Sequence, residues 1–221
     1  MHRLTRLSPK QILLSGTSQL GLNLSSIQIE QVIQYLSELI RWNQKINLSG
    51  LREAGDIMIR HILDSLTPLT LLKPEKDSNW IDIGTGAGLP GLILIIASPE
   101  IKMTLVEPNK KKAAFLHHVI GLIGLGHVTV INDRIEYLSE KCDGRYDLLL
   151  TRALSPSVIL EKGVSLVKKK GKILFFQGHP EKETWEKRIE KSPQLHLETI
   201  RPITLPFCSA PRTLVLLKVC S

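Results

Sequence analysis

The sequence predicts an α/β protein: a mostly parallel sheet wrapped by helices, preceded by a helical extension and closed by an antiparallel hairpin at the C-terminal edge. Three observations carry this. From Asn79 onward, short apolar runs of strand length alternate with longer helical stretches. Ahead of them Ile27, Ile29, Val32, Ile33, Leu36, Leu39 and Ile40 recur at helical spacing, with Glu30, Gln34 and Glu38 between. Behind them Leu195–Thr204 and Thr213–Val219 are strand-like runs with few residues between.

The elements follow in order. Residues 1–75 read as helical. Ser25 or Ser26 caps the periodic helix, and a second helix over Glu53–Leu66 is closed by Pro68. The polar break from Lys73 to Ser78 divides the extension, 1–75, from the sheet domain, 76–221. Strands are expected at Trp80–Ile83, Lys102–Glu107, Val128–Asn132, Asp147–Thr151 and Lys172–Phe176. Helices are expected at Gly91–Ala97, Lys110–Ile123, Ile135–Glu140, Ser157–Val167 and Glu181–Lys191. The lysine runs 110–112 and 168–170 read as solvated faces.

Composition bounds the function. With 221 residues, 43% hydrophobic and 23% charged, the chain can bury a core and is not disordered. A formal charge of +8 favours polyanions, with nucleic acid first and an anionic membrane second. The longest apolar run, Leu89–Ala97, contains Pro90 and Gly91 and is too short to span a bilayer. Met1 to Lys10 is basic, but the next segment is polar-interrupted, so no signal peptide is expected. Cys142, Cys208 and Cys220 form no CxxC, no zinc pattern and no even disulfide set. A cytoplasmic protein without a metal site is expected.

The densest signal is Asp82-Ile83-Gly84-Thr85-Gly86-Ala87-Gly88-Leu89-Pro90-Gly91, set between a strand and a helix. Such a turn brings backbone against a nucleotide-like ligand. Gly86, Gly88 and Gly91 match a dinucleotide fingerprint formally, but that frame puts Pro90 inside the helix entry. The other frame, Asp82, Gly84, Gly86 and Gly88, resembles motif I of class I S-adenosylmethionine-dependent methyltransferases. Its glycines allow close approach. Asp82 can attract an ammonium group directly or through water, and Leu89 can supply an apolar wall. Glu107 ends the next strand 23 residues after Gly84, where an acid takes ribose hydroxyls. Asp133-Arg134-Ile135-Glu136 follows the third strand, where an adenine is framed in such proteins. A nicotinamide enzyme and a ligand-free glycine loop are the other readings.

The fourth strand ends in Thr151-Arg152-Ala153. No Asn-Pro-Pro-Tyr and no Pro-Cys stand there, so neither an exocyclic amine clamp nor a cysteine nucleophile is offered. An arginine is a poor base and a good anion ligand. An acceptor that needs little proton abstraction fits, and guanine N7 is one; carboxylates and other ring nitrogens are also open. Trp42 reads as a packing residue. Arg60 with Asp64, and His61 with Ser65, share helix faces four residues apart.

Several pieces together are similar to the RsmG family, also called glucose-inhibited division protein B. They are Trp42-Asn43-x-Lys45-Ile46-Asn47-Leu48, Arg60-His61-Ile62-Leu63-Asp64-Ser65, Asp82–Gly91, Arg134-Ile135-Glu136, Tyr146-Asp147 and Thr151-Arg152-Ala153. The resemblance implies a class I methyltransferase, Rossmann-like fold with a helical extension, and S-adenosylmethionine as cofactor. It implies as substrate a guanine, methylated at N7, in the 530 loop of 16S rRNA. The RNA is met as naked rRNA, an assembly intermediate or the finished small subunit. It also implies cofactor contacts at Gly84, Leu89, Ile135, Glu136 and Arg152, and a basic mouth formed by Arg134, Arg152 and Arg212. His61 and Asp64 line the cleft. Where the family has Lys-Gly after the fifth strand, this chain has Gln177-Gly178, with His179 or Lys182 available to compensate. Ala210-Pro211-Arg212 replaces the family's Gly-Glu-Arg. A monomer is expected. The alternative is a ribosome-assembly RNA-binding factor of weak or absent catalysis.

Overall fold

The computed structural model describes residues 7–138 and 144–220. Cys142 and the far end of the helix expected over 135–140 lie outside the described residues. The extension contains α1 (Pro9–Gln19) and α2 (Ser26–Asn43). Both begin with a capping box, in which Ser8 pairs with Gln11 and Ser25 with Gln28. A third helical stretch runs through α3 (Ala54–Ile57), a π-helical segment (Met58–Leu63) and α4 (Asp64–Leu66), and ends in a 3-10 turn (Thr67–Thr70).

The sheet is built from β1 (Asn79–Ile83), β2 (Lys102–Val106), β3 (Val128–Ile131), β4 (Tyr146–Thr151), β5 (Val167–Gln177), β6 (Leu195–Ile203) and β7 (Arg212–Val219). Their spatial order is β3-β2-β1-β4-β5-β7-β6. The first five are parallel; β7 pairs antiparallel with both β5 and β6. The hairpin therefore forms the expected edge, with β7 inside and β6 outermost.

The connecting helices are α5 (Gly91–Ala97), α6 (Lys110–Ile123), α7 (Pro156–Lys162) and α8 (Lys182–Ile189). The central strands β1 and β4 are buried on both faces and read as nearly continuous apolar runs, whereas β3 and the outermost β6 are partly exposed. Alternate residues divide between two cores. Leu148, Leu150, Leu174 and Leu216 pack with the extension, α5 and α6. Leu149, Ile173, Phe175 and Leu217 pack with Ile159 of α7 and Trp185 of α8. The extension thus shares one apolar cluster with the sheet across the polar break. Trp42 lies edge-on to Phe115 of α6, with centroids 5.6 Å apart, so it packs as expected.

Three stretches differ from the expectation. The helix expected over Ser157–Val167 stops at Lys162, and Val164–Leu166 forms a 3-10 turn. Tyr146 pairs with Val167, which draws the 168–170 lysine run into the start of β5. The short helix expected at Ile135 is a 3-10 turn over Ile135–Tyr137. Among the described residues, no helix is long and apolar enough to cross a membrane.

Candidate active site

The glycine turn leaves the carboxyl end of β1 and enters α5. Asp82 is completely buried beneath it. Its Oδ2 accepts from the Thr85 hydroxyl at 2.6 Å and from the Gly91 N–H at 2.8 Å. One carboxylate oxygen thus ties strand, turn and helix together. Oδ1 is buried without a hydrogen-bond partner among the described residues. Burial pushes this carboxyl from 3.8 up to about 6, against the opposing pull of Thr85, the Gly91 N–H and the Arg152 charge. The glycines differ in purpose. A Cβ on Gly91 would stand 2.4 Å from Leu105 and 2.9 Å from Asp82, so this glycine permits close packing of helix on strand. Gly86 has φ +61, and its missing side chain would meet open space.

That space belongs to a cleft of about 430 Å³ across the carboxyl ends of β1 to β4. Gly84, Gly86, Glu107, Ile135, Glu136 and Leu154 line it, with Lys112 and Arg134 also in its wall. Glu107 is buried; its Oε2 accepts from the Gly86 N–H at 2.9 Å and its Oε1 from the Asn109 N–H at 2.8 Å. Each oxygen keeps a further lone pair for a hydroxyl. Asp82, Gly88 and Leu89 are not among the lining residues. Gly88 instead lies where a Cβ would strike Leu92 at 2.3 Å, and Leu89 packs against the core shared with the extension.

A second group of charges is brought together from three distant elements. Asp64, fully buried at the start of α4, accepts on Oδ1 from Arg212 Nε at 2.5 Å. Its Oδ2 lies 3.0 Å from Arg152 Nη2, an ionic contact whose geometry is not that of a hydrogen bond. Arg152 also donates to the Ser65 hydroxyl at 3.3 Å and to the Arg60 carbonyl at 3.4 Å. Its guanidinium lies 5.7 Å from the Phe176 ring centre. The Arg60–Asp64 helix pair read from spacing gives way to this clasp, because two arginines from the sheet's carboxyl edge reach the carboxylate. Arg152 also sits close enough to Asp82 and Tyr35 to influence both, which links clasp and glycine turn.

His61 stands beside the clasp. Its Nδ1 is 3.1 Å from the Arg60 carbonyl and its Nε2 is 2.7 Å from the Ser49 hydroxyl. A carbonyl only accepts, so Nδ1 carries the proton and Ser49 donates to Nε2. Burial, aided by the Arg152 charge, lowers its pKa and keeps the ring neutral at pH 7. Ser49 is held in turn by Asn43, whose side chain bonds four backbone groups of the 48–51 segment.

Not every expected residue joins this group. Arg134 lies on the cleft wall with Glu136 rather than in the clasp. Gln177 donates to its own neighbour, the Phe176 carbonyl, at 3.2 Å. Lys182, on α8, pairs with Glu186 at 3.4 Å. His179 lines a separate hollow of about 350 Å³ on the other side of Arg212. Sequence reasoning missed Tyr35. It occupies a buried position of α2, and its hydroxyl donates to the Ala87 carbonyl at 2.9 Å. The polar atom among apolar neighbours in α2 was the available signal. Among the described residues, no group of three His, Cys, Asp or Glu could hold a metal.

Known proteins resemble this chain in sequence and in fold. A family model described as rRNA small subunit methyltransferase G, GidB, matches residues 28–215. "Ribosomal RNA small subunit methyltransferase G" of Thermoanaerobacter pseudethanolicus is 32% identical over 213 residues, covering 94% of this chain and 89% of its own length. The protein of the same name from Roseiflexus castenholzii is 40% identical over 161 residues, covering 72% and 68%. Among solved structures, a SAM-dependent methyltransferase from Aquifex aeolicus superposes with TM-score 0.56 at 12% identity, covering 74% of this chain and 93% of that one. The P. horikoshii TYW2 in complex with MeSAdo gives TM-score 0.56 at 16% identity, covering 72% and 62%. At such identities the likeness establishes the fold alone.

Proposed function

The chain belongs to the rRNA small subunit methyltransferase G family, and from that premise we propose that it transfers a methyl group from S-adenosylmethionine to N7 of a guanine in the 530 loop of 16S rRNA. The observation that carries this reading is the side-by-side placement of the adenosine-sized cleft and the Asp64–Arg152–Arg212 clasp on one sheet edge.

The residues present fit the cofactor. Gly86 opens onto the cleft where a side chain would fill it. Glu107 has free lone pairs for ribose hydroxyls, and Ile135 and Leu154 offer apolar walls for a purine. The buried, unpartnered Oδ1 of Asp82 gives the site an acceptor for an ammonium group, through water beneath the turn. S-adenosylmethionine, when bound, supplies an electrophilic methyl group on a sulfonium.

Guanine N7 carries an exposed lone pair and no proton to remove, so the protein's contribution is alignment. Asp64 fixes the planes of two guanidinium groups while neutralising one of their two charges. The remaining N–H donors of Arg152 and Arg212 face phosphate oxygens of the target loop. Neutral His61, oriented by Ser49 and Asn43, packs the clasp without adding charge. Arg134 on the cleft wall adds a further phosphate partner. Gln177 replaces one cation, so RNA binding is weaker and less salt-dependent than with lysine there. The protein acts as a cytoplasmic monomer on rRNA, an assembly intermediate or the small subunit.

The test is transfer of a tritiated methyl group to small subunits and to protein-free 16S rRNA from cells lacking this protein, followed by mapping of 7-methylguanine. Persistence of that modification in cells without the protein would refute the assignment. A protein that binds rRNA but neither S-adenosylmethionine nor S-adenosylhomocysteine would instead be an assembly factor.

A further inference from the structure

The amino ends of the strands carry a second concave site. β1, β4 and β5 are parallel, and Trp80, Leu148 and Gly171 lie near their starts, at the opposite end of the sheet from the cofactor cleft. Here a hollow of about 310 Å³ has an apolar floor of Leu72, Trp80 and Leu148. Its rim carries Lys73, Lys169, Lys170 and Lys172.

The charges on this rim are not equivalent. Lys168 is spent on Asp147, at 2.8 and 2.9 Å, and Asp147 also accepts from the Asn79 N–H at 2.8 Å. Lys172 is spent on Glu198 at 2.8 Å. Lys73, Lys169 and Lys170 are exposed and make no ion pair among the described residues. The unpaired acid on the rim is Glu75. The backbone holds this arrangement under strain. Lys170 has φ +66, a conformation that non-glycine residues seldom adopt. Beside it Gly171 is packed so closely that a Cβ would come within 2.6 Å of Val167. The β4–β5 register also shifts between Tyr146 and Leu148. These features belong to one bulge of β5, which sets Lys169 and Lys170 on the rim.

We propose that this hollow binds backbone phosphates of rRNA at a second point, away from the nucleotide that is methylated. The inference rests on the reading of rRNA as substrate. Three unpaired ammonium groups around a concave floor suit successive phosphodiesters, which are read by point charge rather than by sequence. The carboxyl edge would hold the target loop while the amino edge holds a distant segment of the same RNA. A small RNA could reach only the first.

The experiment compares the wild type with a K73A/K169A/K170A variant, and with a control variant in which the exposed Lys10, Lys187 and Lys191, none of which lines the hollow, are changed to Ala. Affinity is measured against salt for protein-free 16S rRNA and for a short hairpin carrying the target loop; binding of S-adenosylhomocysteine checks the fold. For full-length rRNA the triple variant is expected to bind about tenfold more weakly at moderate salt. Its log–log salt slope should be shallower by about two. Hairpin and cofactor affinities should stay within about twofold, and the control variant should keep a wild-type slope on full-length rRNA. Equal slopes for wild type and triple variant would overturn the proposal. So would an equal loss on the hairpin, or the same loss in the control variant. A loss seen with assembled subunits but not with protein-free rRNA would assign the hollow to an acidic protein and overturn it too. If the wild type methylates neither RNA, the methyltransferase reading fails, while the salt slopes still decide this one.

Discussion

The Tyr35 hydroxyl donates to the Ala87 carbonyl at 2.9 Å, joining residues 52 positions apart. It is the polar tie between the helical extension and the glycine turn. Burial keeps this phenol un-ionised by raising its pKa. Tyr35→Phe would leave a buried carbonyl without its donor, at a cost of about 1–3 kcal/mol. Urea denaturation should show that loss, and calorimetry should show several-fold weaker S-adenosylhomocysteine binding. Unchanged cofactor affinity would mean that the extension does not shape the turn.

Asp64→Asn removes the one carboxylate that compensates Arg152 and Arg212. Asp64 is fully buried while both arginines are partly exposed, so the penalty falls at or just below the lower limit for a broken buried pair, about 2–3 kcal/mol. Methyl transfer should drop at least a hundredfold through loss of alignment, on the order expected for misplaced reacting groups. Cofactor affinity should change far less, since Asp64 does not line that cleft.

The two ends of the glycine turn should respond differently to one methyl group. Gly86→Ala enters open space at a positive φ, so stability should fall by only about 1 kcal/mol while S-adenosylhomocysteine affinity falls tenfold or more. Gly91→Ala drives into Leu105 and Asp82 and should cost about 1–3 kcal/mol by overpacking. Thermal melts with and without cofactor separate the two effects.

Asp82 sets a pH dependence. Burial raises its folded-state pKa from 3.8 to about 6, so between those values the folded protein holds a proton that the unfolded chain has released. Asp82's contribution to stability is therefore greatest below pH 3.8, declines as pH rises to about 6, and is flat above. Asp82→Asn can keep the acceptor for Thr85 and Gly91 but has no such slope. The stability difference between wild type and variant should thus shift against the wild type by about 2 kcal/mol from pH 4 to pH 7. A pH-independent difference would contradict the buried, partly protonated carboxyl.

The strand–helix alternation was readable because the central strands are largely apolar on both faces and bounded by polar or glycine punctuation. The start of β5 was not, because Val167-Lys168-Lys169-Lys170 has no strand pattern; pairing of Val167 with Tyr146 places it in the sheet. Helix α1 falls in the stretch read as helical but had no bounds of its own there, although Ser8 and Gln11 spell the same capping box as Ser25 and Gln28. At the site, the turn and Glu107 were local signals; Gly84, Gly86 and Glu107 line the cleft, whereas Asp82, Gly88 and Leu89 do not. The clasp was not local. Spacing alone pairs Asp64 with Arg60, whereas its partners come from β7 and from the end of β4. Arg134, Gln177 and Lys182 share a sign or a sequence neighbourhood with the clasp but stand on other elements.

Strand order has a further consequence for how the active edge comes into being. The cofactor cleft draws on residues 83 to 154, whereas Arg212 meets Asp64 from 148 positions downstream. It does so on a strand threaded between β5 and β6. Synthesis runs from the amino end, so the binding half of the site can take shape well before the gripping half has its last cation. Until then Asp64 faces a single arginine. The complete clasp is therefore a property of the finished sheet, closed by its last strand.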